Sequence, residues 1–154
     1  MRQHVPTTKS IKREGMAMAG ERRASGGCLC GGVRYHLNGT LNGVTACHCS
    51  QCARTTGHYF ASTNCAMEDF ALESEETLRW YRSSEDAERG FCSRCGSNLF
   101  WRKVGGKVMS ITAGTLDRPT GLRMKYHIFC ESKSDYYDLT DGLTQYREFS
   151  GLGE

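Results

Sequence analysis

Seven of the chain's nine cysteines fall into three tight clusters: Cys28-Leu29-Cys30, Cys47-His48-Cys49-Ser50-Gln51-Cys52 and Cys92-Ser93-Arg94-Cys95. Thiols at C-x-C and C-x-x-C separations bond poorly to each other, but together they can grip one metal ion. A closed tetrahedral zinc site takes four ligands, so seven sulfurs divide into one closed site and one with an open position. An open position is where a zinc ion does chemistry.

The residues after each cluster sort the sulfurs. Cys30 is followed by Gly31 and Cys95 by Gly96, whereas Cys52 is followed by Ala53. In a zinc knuckle, backbone N–H groups beyond the cysteines donate to sulfur, and the turn favours a positive φ that glycine adopts at little cost. Cys28, Cys30, Cys92 and Cys95 are therefore expected to form the closed site. It would clip together segments more than sixty residues apart. Cys47, Cys49 and Cys52 remain as a three-thiolate site. Its fourth ligand is a water, a substrate thiol or a protein group, with His48, His58, Cys65 and Cys130 as the protein candidates. The C-x-C-x-x-C spacing does not match ferredoxin iron–sulfur patterns, and no βαβ context supports a thioredoxin-like role. Outside the clusters, Cys65 and Cys130 read as small core residues, and His36 and His127 as packing histidines within strands.

Composition bounds the rest. A chain of 154 residues with 38% hydrophobic content suits one domain with a modest core that benefits from a metal staple. Residues 1–25 hold six Lys/Arg and two Asp/Glu, a net of +4, while residues 26–154 hold fourteen and fifteen, a net of −1. The body is near neutral and offers no electrostatic footprint for nucleic acid. Residues 1–23 read as a disordered basic tail and residues 24–150 as the folded domain. No window approaches the roughly 18 apolar residues of a membrane span, and nothing in the first thirty residues resembles a signal peptide. Metal-bound thiols in a reducing compartment are expected, hence a cytoplasmic protein without membrane partners.

Short alternating segments separated by turn signals predict a mainly β fold. Candidate strands are Val33–Leu37, Tyr59–Ser62, Thr77–Tyr81, Leu99–Trp101, Val108–Ile111 and Met124–Phe129, with hairpin turns at Asn42-Gly43 and Gly105-Gly106. Cys49 to Thr55 suits one helical turn, and Ser83 to Glu88 reads as a loop.

Four stretches carry a family resemblance. They are Gly26-Gly27-Cys28-Leu29-Cys30-Gly31-Gly32-Val33-Arg34-Tyr35, the run Cys47 to Arg54, the run Phe91 to Phe100, and the C-terminal His127-Ile128-Phe129, Tyr136-Tyr137 and Asp141-Gly142-Leu143. Over residues 24–147 the chain resembles the glutathione-dependent formaldehyde-activating enzyme family, which also includes centromere protein V. The resemblance implies a single domain of coiled antiparallel sheets stapled by zinc. It implies a structural zinc on Cys28, Cys30, Cys92 and Cys95, and a catalytic-type zinc on Cys47, Cys49 and Cys52. It also implies a carbon–sulfur lyase that joins or separates a small thiol, glutathione above all, and formaldehyde. Arg54, the nearest basic residue in sequence, is expected to pair with sulfur or with a glutathione carboxylate. His48 or His58 is expected to deliver the proton, and Tyr59 and Phe60 to line the pocket. The competing expectation is a non-catalytic zinc module for a protein or nucleic acid, suggested by the basic tail.

Overall fold

The computed structural model describes residues 24–148. The expected basic tail at 1–23 and the last two residues of the expected domain lie outside them. Eleven strands carry the fold: β1 (Ala24–Gly27), β2 (Arg34–Leu37), β3 (Val44–Cys47), β4 (Phe60–Ala66), β5 (Phe70–Ser74), β6 (Leu78–Arg82), β7 (Ala87–Cys92), β8 (Asn98–Lys103), β9 (Val108–Thr112), β10 (Met124–Ile128) and β11 (Thr144–Gln145). One helix, α1 (Ser50–Thr56), follows β3. Among the described residues no helix is long and apolar enough to cross a membrane.

The strands form two sheets. A small one runs β1-β2-β5, and a large one runs β11-β10-β3-β4-β9-β8-β7-β6. Every pairing is antiparallel except those of β10 with β3 and β11. The long connection after β9 carries the chain across to the far side of β3, and that crossover makes the pairing parallel.

Two expected turns differ in outcome. Gly105, at φ 70°, turns the antiparallel β8–β9 hairpin. Asn42-Gly43 makes no hairpin, because β2 pairs with β1 and β5 whereas β3 pairs with β4 and β10. The segment is a crossover between sheets. Strands β1, β3, β5, β7 and β11 lie beyond the predicted set.

The period-2 alternation of side chains gives the large sheet two unlike faces. Register aligns Ala61, Thr63, Ile111, Phe100 and Gly90 on one face. This face meets Tyr35, Leu37 and Phe70 of the small sheet. Tyr35, Leu37, Phe100, Met109 and Ile111 are fully buried there. The Phe100 ring sits edge-on to Tyr35 at 5.2 Å and to Phe70 at 5.0 Å between centroids. Phe100→Ala should cost about 3–5 kcal/mol, read by denaturant unfolding; a loss under about 1 kcal/mol would mean that the sheets are not held by this contact. Cys65 joins this core as expected. Cys130 does not: it is half-buried at a 3₁₀ turn after β10.

The opposite face aligns Cys47, Phe60, Ser62, Ser110, Trp101 and Arg89. α1, the cysteines that follow Cys47 and the buried Arg89 all belong to this side of the sheet.

Candidate metal centres

The sulfurs gather as four and three, the grouping the glycines imply. The Sγ atoms of Cys28, Cys30, Cys92 and Cys95 lie within 4.8 Å of one another. Cys28 to Cys30 and Cys30 to Cys92 are each 3.6 Å. Sulfurs bound tetrahedrally at the usual zinc–sulfur length of about 2.3 Å would sit about 3.8 Å apart, so this set fits a zinc ion. The loops are shaped for it. Gly31 and Gly96 have φ of 77° and 75°. The Val33 N–H donates to Cys28 Sγ at 3.2 Å and the Cys95 N–H to Cys92 Sγ at 3.5 Å. Thr77 Oγ1 lies 3.1 Å from Cys92 Sγ. The Ser97 hydroxyl, 3.3 Å from Cys95 Sγ, leads the groups that hold that thiol down to about 5. The Leu29 N–H donates to the same hydroxyl at 3.1 Å, tying one cysteine loop to the other.

The second group is built locally. Cys47 ends β3. Cys49 is the N-cap of α1, with φ −64° and ψ 154°, and its sulfur accepts from the Cys52 N–H at 3.3 Å. That strand–turn–helix path brings Cys47, Cys49 and the buried Cys52 within 4.8 Å. Gly57, at φ 81°, ends the helix after seven residues. Hydrogen bonds from the Cys47 and Cys52 thiols hold Cys49 down to about 2 and, reciprocally, push Cys47 up. Among the described residues no histidine, carboxylate or further cysteine joins the three.

The two histidines weighed as possible fourth ligands lie elsewhere. Consecutive strand residues point to opposite faces, so Cys47 and Cys49 send His48 between them to the other side. There His48 is 1% exposed. His48 Nε2 lies 2.8 Å from His127 Nδ1, and His127 Nε2 lies 2.9 Å from Asp141 Oδ2. At the near end, His48 Nδ1 lies 2.5 Å from Tyr137 Oη. An ionised carboxylate only accepts, so the hydrogens run from Tyr137 through His48 and His127 to Asp141. Burial, reinforced by His127, pushes the His48 imidazolium down to about 4. His58 Nδ1 lies 2.8 Å from Tyr136 Oη, within the same cluster of Tyr59, Tyr136 and Tyr137 rings. Of the expected pocket residues, Phe60 shares the cysteine face and Tyr59 packs on His48.

Arg54 is exposed on α1. The arginine beside the three-cysteine group is Arg89 of β7, with Nη2 3.7 Å from Cys52 Sγ. Thirty-seven residues separate the two, and the polar run around Arg89 resembles a loop. A pattern search along the sequence cannot find this contact. Beside Arg89 lies a cavity of about 240 Å³ lined by Thr55, Tyr81, Arg89, Phe91, Gly96 and Asn98.

Fold and sites together define a class: a β-sheet protein with one complete and one incomplete cage of thiols, each able to hold a metal ion. The chain belongs to the family described as glutathione-dependent formaldehyde-activating enzyme, whose model matches residues 23–132. It is similar to an uncharacterized lyase of Schizosaccharomyces pombe, 27% identical over 124 residues, covering 79% of this chain and 88% of the relative. It is also similar to a putative glutathione-dependent formaldehyde-activating enzyme of Halomonas elongata, 27% identical over 139 residues, covering 82% and 86%. A Rhodobacter sphaeroides protein of known crystal structure shares the fold, with a TM-score of 0.52 at 19% identity, over 79% of this chain and 98% of that one.

Proposed function

We propose that the chain is a zinc-dependent carbon–sulfur lyase that joins and separates a small thiol and an aldehyde, with glutathione and formaldehyde as the pair. The observation that carries this reading is the contrast between the groups: four sulfurs close one cage, and three sulfurs with no fourth donor among the described residues leave the other open. Cys28, Cys30, Cys92 and Cys95 would hold a structural zinc, and Cys47, Cys49 and Cys52 a second. Zinc bound by three cysteines supplies an open coordination position and favours the thiolate form of a thiol.

The chain's residues do the rest. The N-cap geometry of Cys49 fixes its sulfur against Cys52 and leaves the loop little freedom to follow an incoming ligand. Arg89 places positive charge beside the Cys52 sulfur. The cavity lined by Arg89, Phe91 and Asn98 would receive the body of the thiol. In the joining direction the sulfur lone pair forms the carbon–sulfur bond. The carbonyl π pair moves to oxygen, which takes up the proton the thiol has lost. In the reverse direction the hydroxyl gives up that proton, the carbonyl reforms and the thiolate leaves.

The test is exchange of isotope-labelled formaldehyde between its free form and its glutathione adduct, followed by NMR. Exchange faster than in protein-free buffer, and slowed by Cys49→Ser, is the expected result. Exchange at the buffer rate would overturn the assignment.

A further inference from the structure

The fold holds one arginine in an unusual setting. Arg34, Arg94, Arg102 and Arg147 pair with Asp117, Glu76, Glu88 and Glu131 at the surface or close to it. Arg89 is 5% exposed and, among the described residues, has no carboxylate partner. Its Nη2 donates to Gln51 Oε1 at 2.9 Å and lies 3.7 Å from Cys52 Sγ. Among the described residues its Nε and Nη1 have no hydrogen-bond partner. The guanidinium sits over the Phe60 ring, 5.9 Å from the centroid.

A guanidinium stays charged at any physiological pH, and burying that charge without a counterion is costly. The group within reach is the three-cysteine cluster, whose thiols bind a metal ion as thiolates. The contact is oriented. Gln51 stands immediately before Cys52, and its Nε2 donates to the Ser83 carbonyl at 2.9 Å, which leaves Oε1 facing Arg89. A residue inside the C-x-x-C turn thus aims the arginine at the sulfur that closes that turn. The cation near the four-cysteine group differs: Arg94 also meets Cys30 but is exposed and paired with Glu76.

We propose that Arg89 is a positioning residue that supplies the built-in countercharge of the three-cysteine centre and biases that centre toward an anionic fourth ligand, a thiolate, over a neutral one. This deepens the functional reading above and rests on it. Three thiolates and a divalent ion carry a net −1, and a fourth thiolate makes −2. The fixed positive charge beside Cys52 cancels one unit of that repulsion. It contributes nothing comparable to the binding of a neutral ligand, so the effect is selective.

The experiment uses the full chain loaded with cobalt(II), whose sulfur-to-metal absorption reports each centre without any turnover. Glutathione and imidazole, an anionic and a neutral ligand when bound, are titrated into wild type, Arg89→Gln and Arg89→Lys. Arg89→Gln should weaken the glutathione-induced change by about tenfold or more while shifting the imidazole titration by less than about twofold, and Arg89→Lys should recover most of the loss. The four-cysteine cobalt band serves as the control for folding. Gln51→Ala, which frees the guanidinium without removing it, should give a smaller weakening in the same direction, and it stands in should Arg89→Gln fail to fold. Equal weakening for both ligands would reduce Arg89 to a structural role and overturn the proposal, as would unchanged glutathione binding in Arg89→Gln or, in its stead, Gln51→Ala. A wild type that responds to imidazole but not to glutathione would overturn the thiol-accepting reading of the centre, and this inference with it.

Discussion

Cys92→Ser should leave the protein without a cooperative thermal transition, or with one lowered by about 15 °C or more. Cys92 is fully buried at the end of β7, and its sulfur meets Cys30 Sγ, the Thr77 hydroxyl and the Cys95 N–H. Its cluster joins the loop before β2 in the small sheet to the turn between β7 and β8 in the large one. The two sheets otherwise meet over a core built around Tyr35, Leu37, Phe70, Leu99, Phe100 and Ile111. A structural zinc contributes about 10–16 kcal/mol in peptide systems, against a total of about 5–15 kcal/mol for a typical domain. Losing one of four ligands leaves three thiols crowded together with weakened metal affinity. Circular dichroism melts of the variant, and of wild type with excess chelator, check this. Both should lose the transition, and a variant melting within a few degrees of wild type would show that the clip is dispensable.

Cys49→Ser should have the opposite profile: fold retained, chemistry lost. Cys49 has two separable roles, as one of the three clustered sulfurs and as the N-cap of α1. Serine is among the best N-caps, and its oxygen can accept from the Cys52 N–H as the sulfur does. The helix should therefore form as before, with a melting temperature within a few degrees of wild type. Zinc per chain, by elemental analysis, should fall from two to one. Removing groups that merely orient a ligand costs about 10–100-fold in affinity or activity, so losing a ligand itself should lower glutathione–formaldehyde exchange by more than about a hundredfold. Equal zinc content in the two proteins would mean that the middle cluster is not a metal centre.

The contrast between these two substitutions shows what the sequence makes legible. Gly31 and Gly96 marked the four-cysteine loops because a positive φ after a knuckle is a local requirement, visible one residue at a time. The mainly β character was visible for a similar reason: Val108-Met109-Ser110-Ile111 alternates whatever it pairs with. Pairing itself was not visible. Asn42-Gly43 has the chemistry of a hairpin turn, but the partners of β2 and β3 are chosen by burial at long range. β7 was hidden because Glu88 and Arg89 look solvated. Arg89 is buried against sulfur, a partner that ordinary charge pairing does not suggest. The direction of His48 was legible, because a residue between two ligands would have to fold back to join them. In an extended chain its neighbours Cys47 and Cys49 face one way and it must face the other, into a hydrogen-bonded row ending at Asp141.

The two cysteine sets also differ in how much chain each needs. Cys47, Cys49 and Cys52 are complete within six residues and a single helical cap, whereas the other set waits for Cys95 to meet Cys28. During synthesis the local trio is therefore ready to capture an ion before any sheet exists, and the stabilising quartet is ready only once most of the strands have been made. Metal held by an unfolded chain reduces the stabilisation that metal gives the native state. The reactive centre thus competes with the scaffold for the first ion available. In metal-starved cells, newly made chains should accumulate singly loaded and unfolded, and scarcity of zinc should be felt first as a failure of assembly.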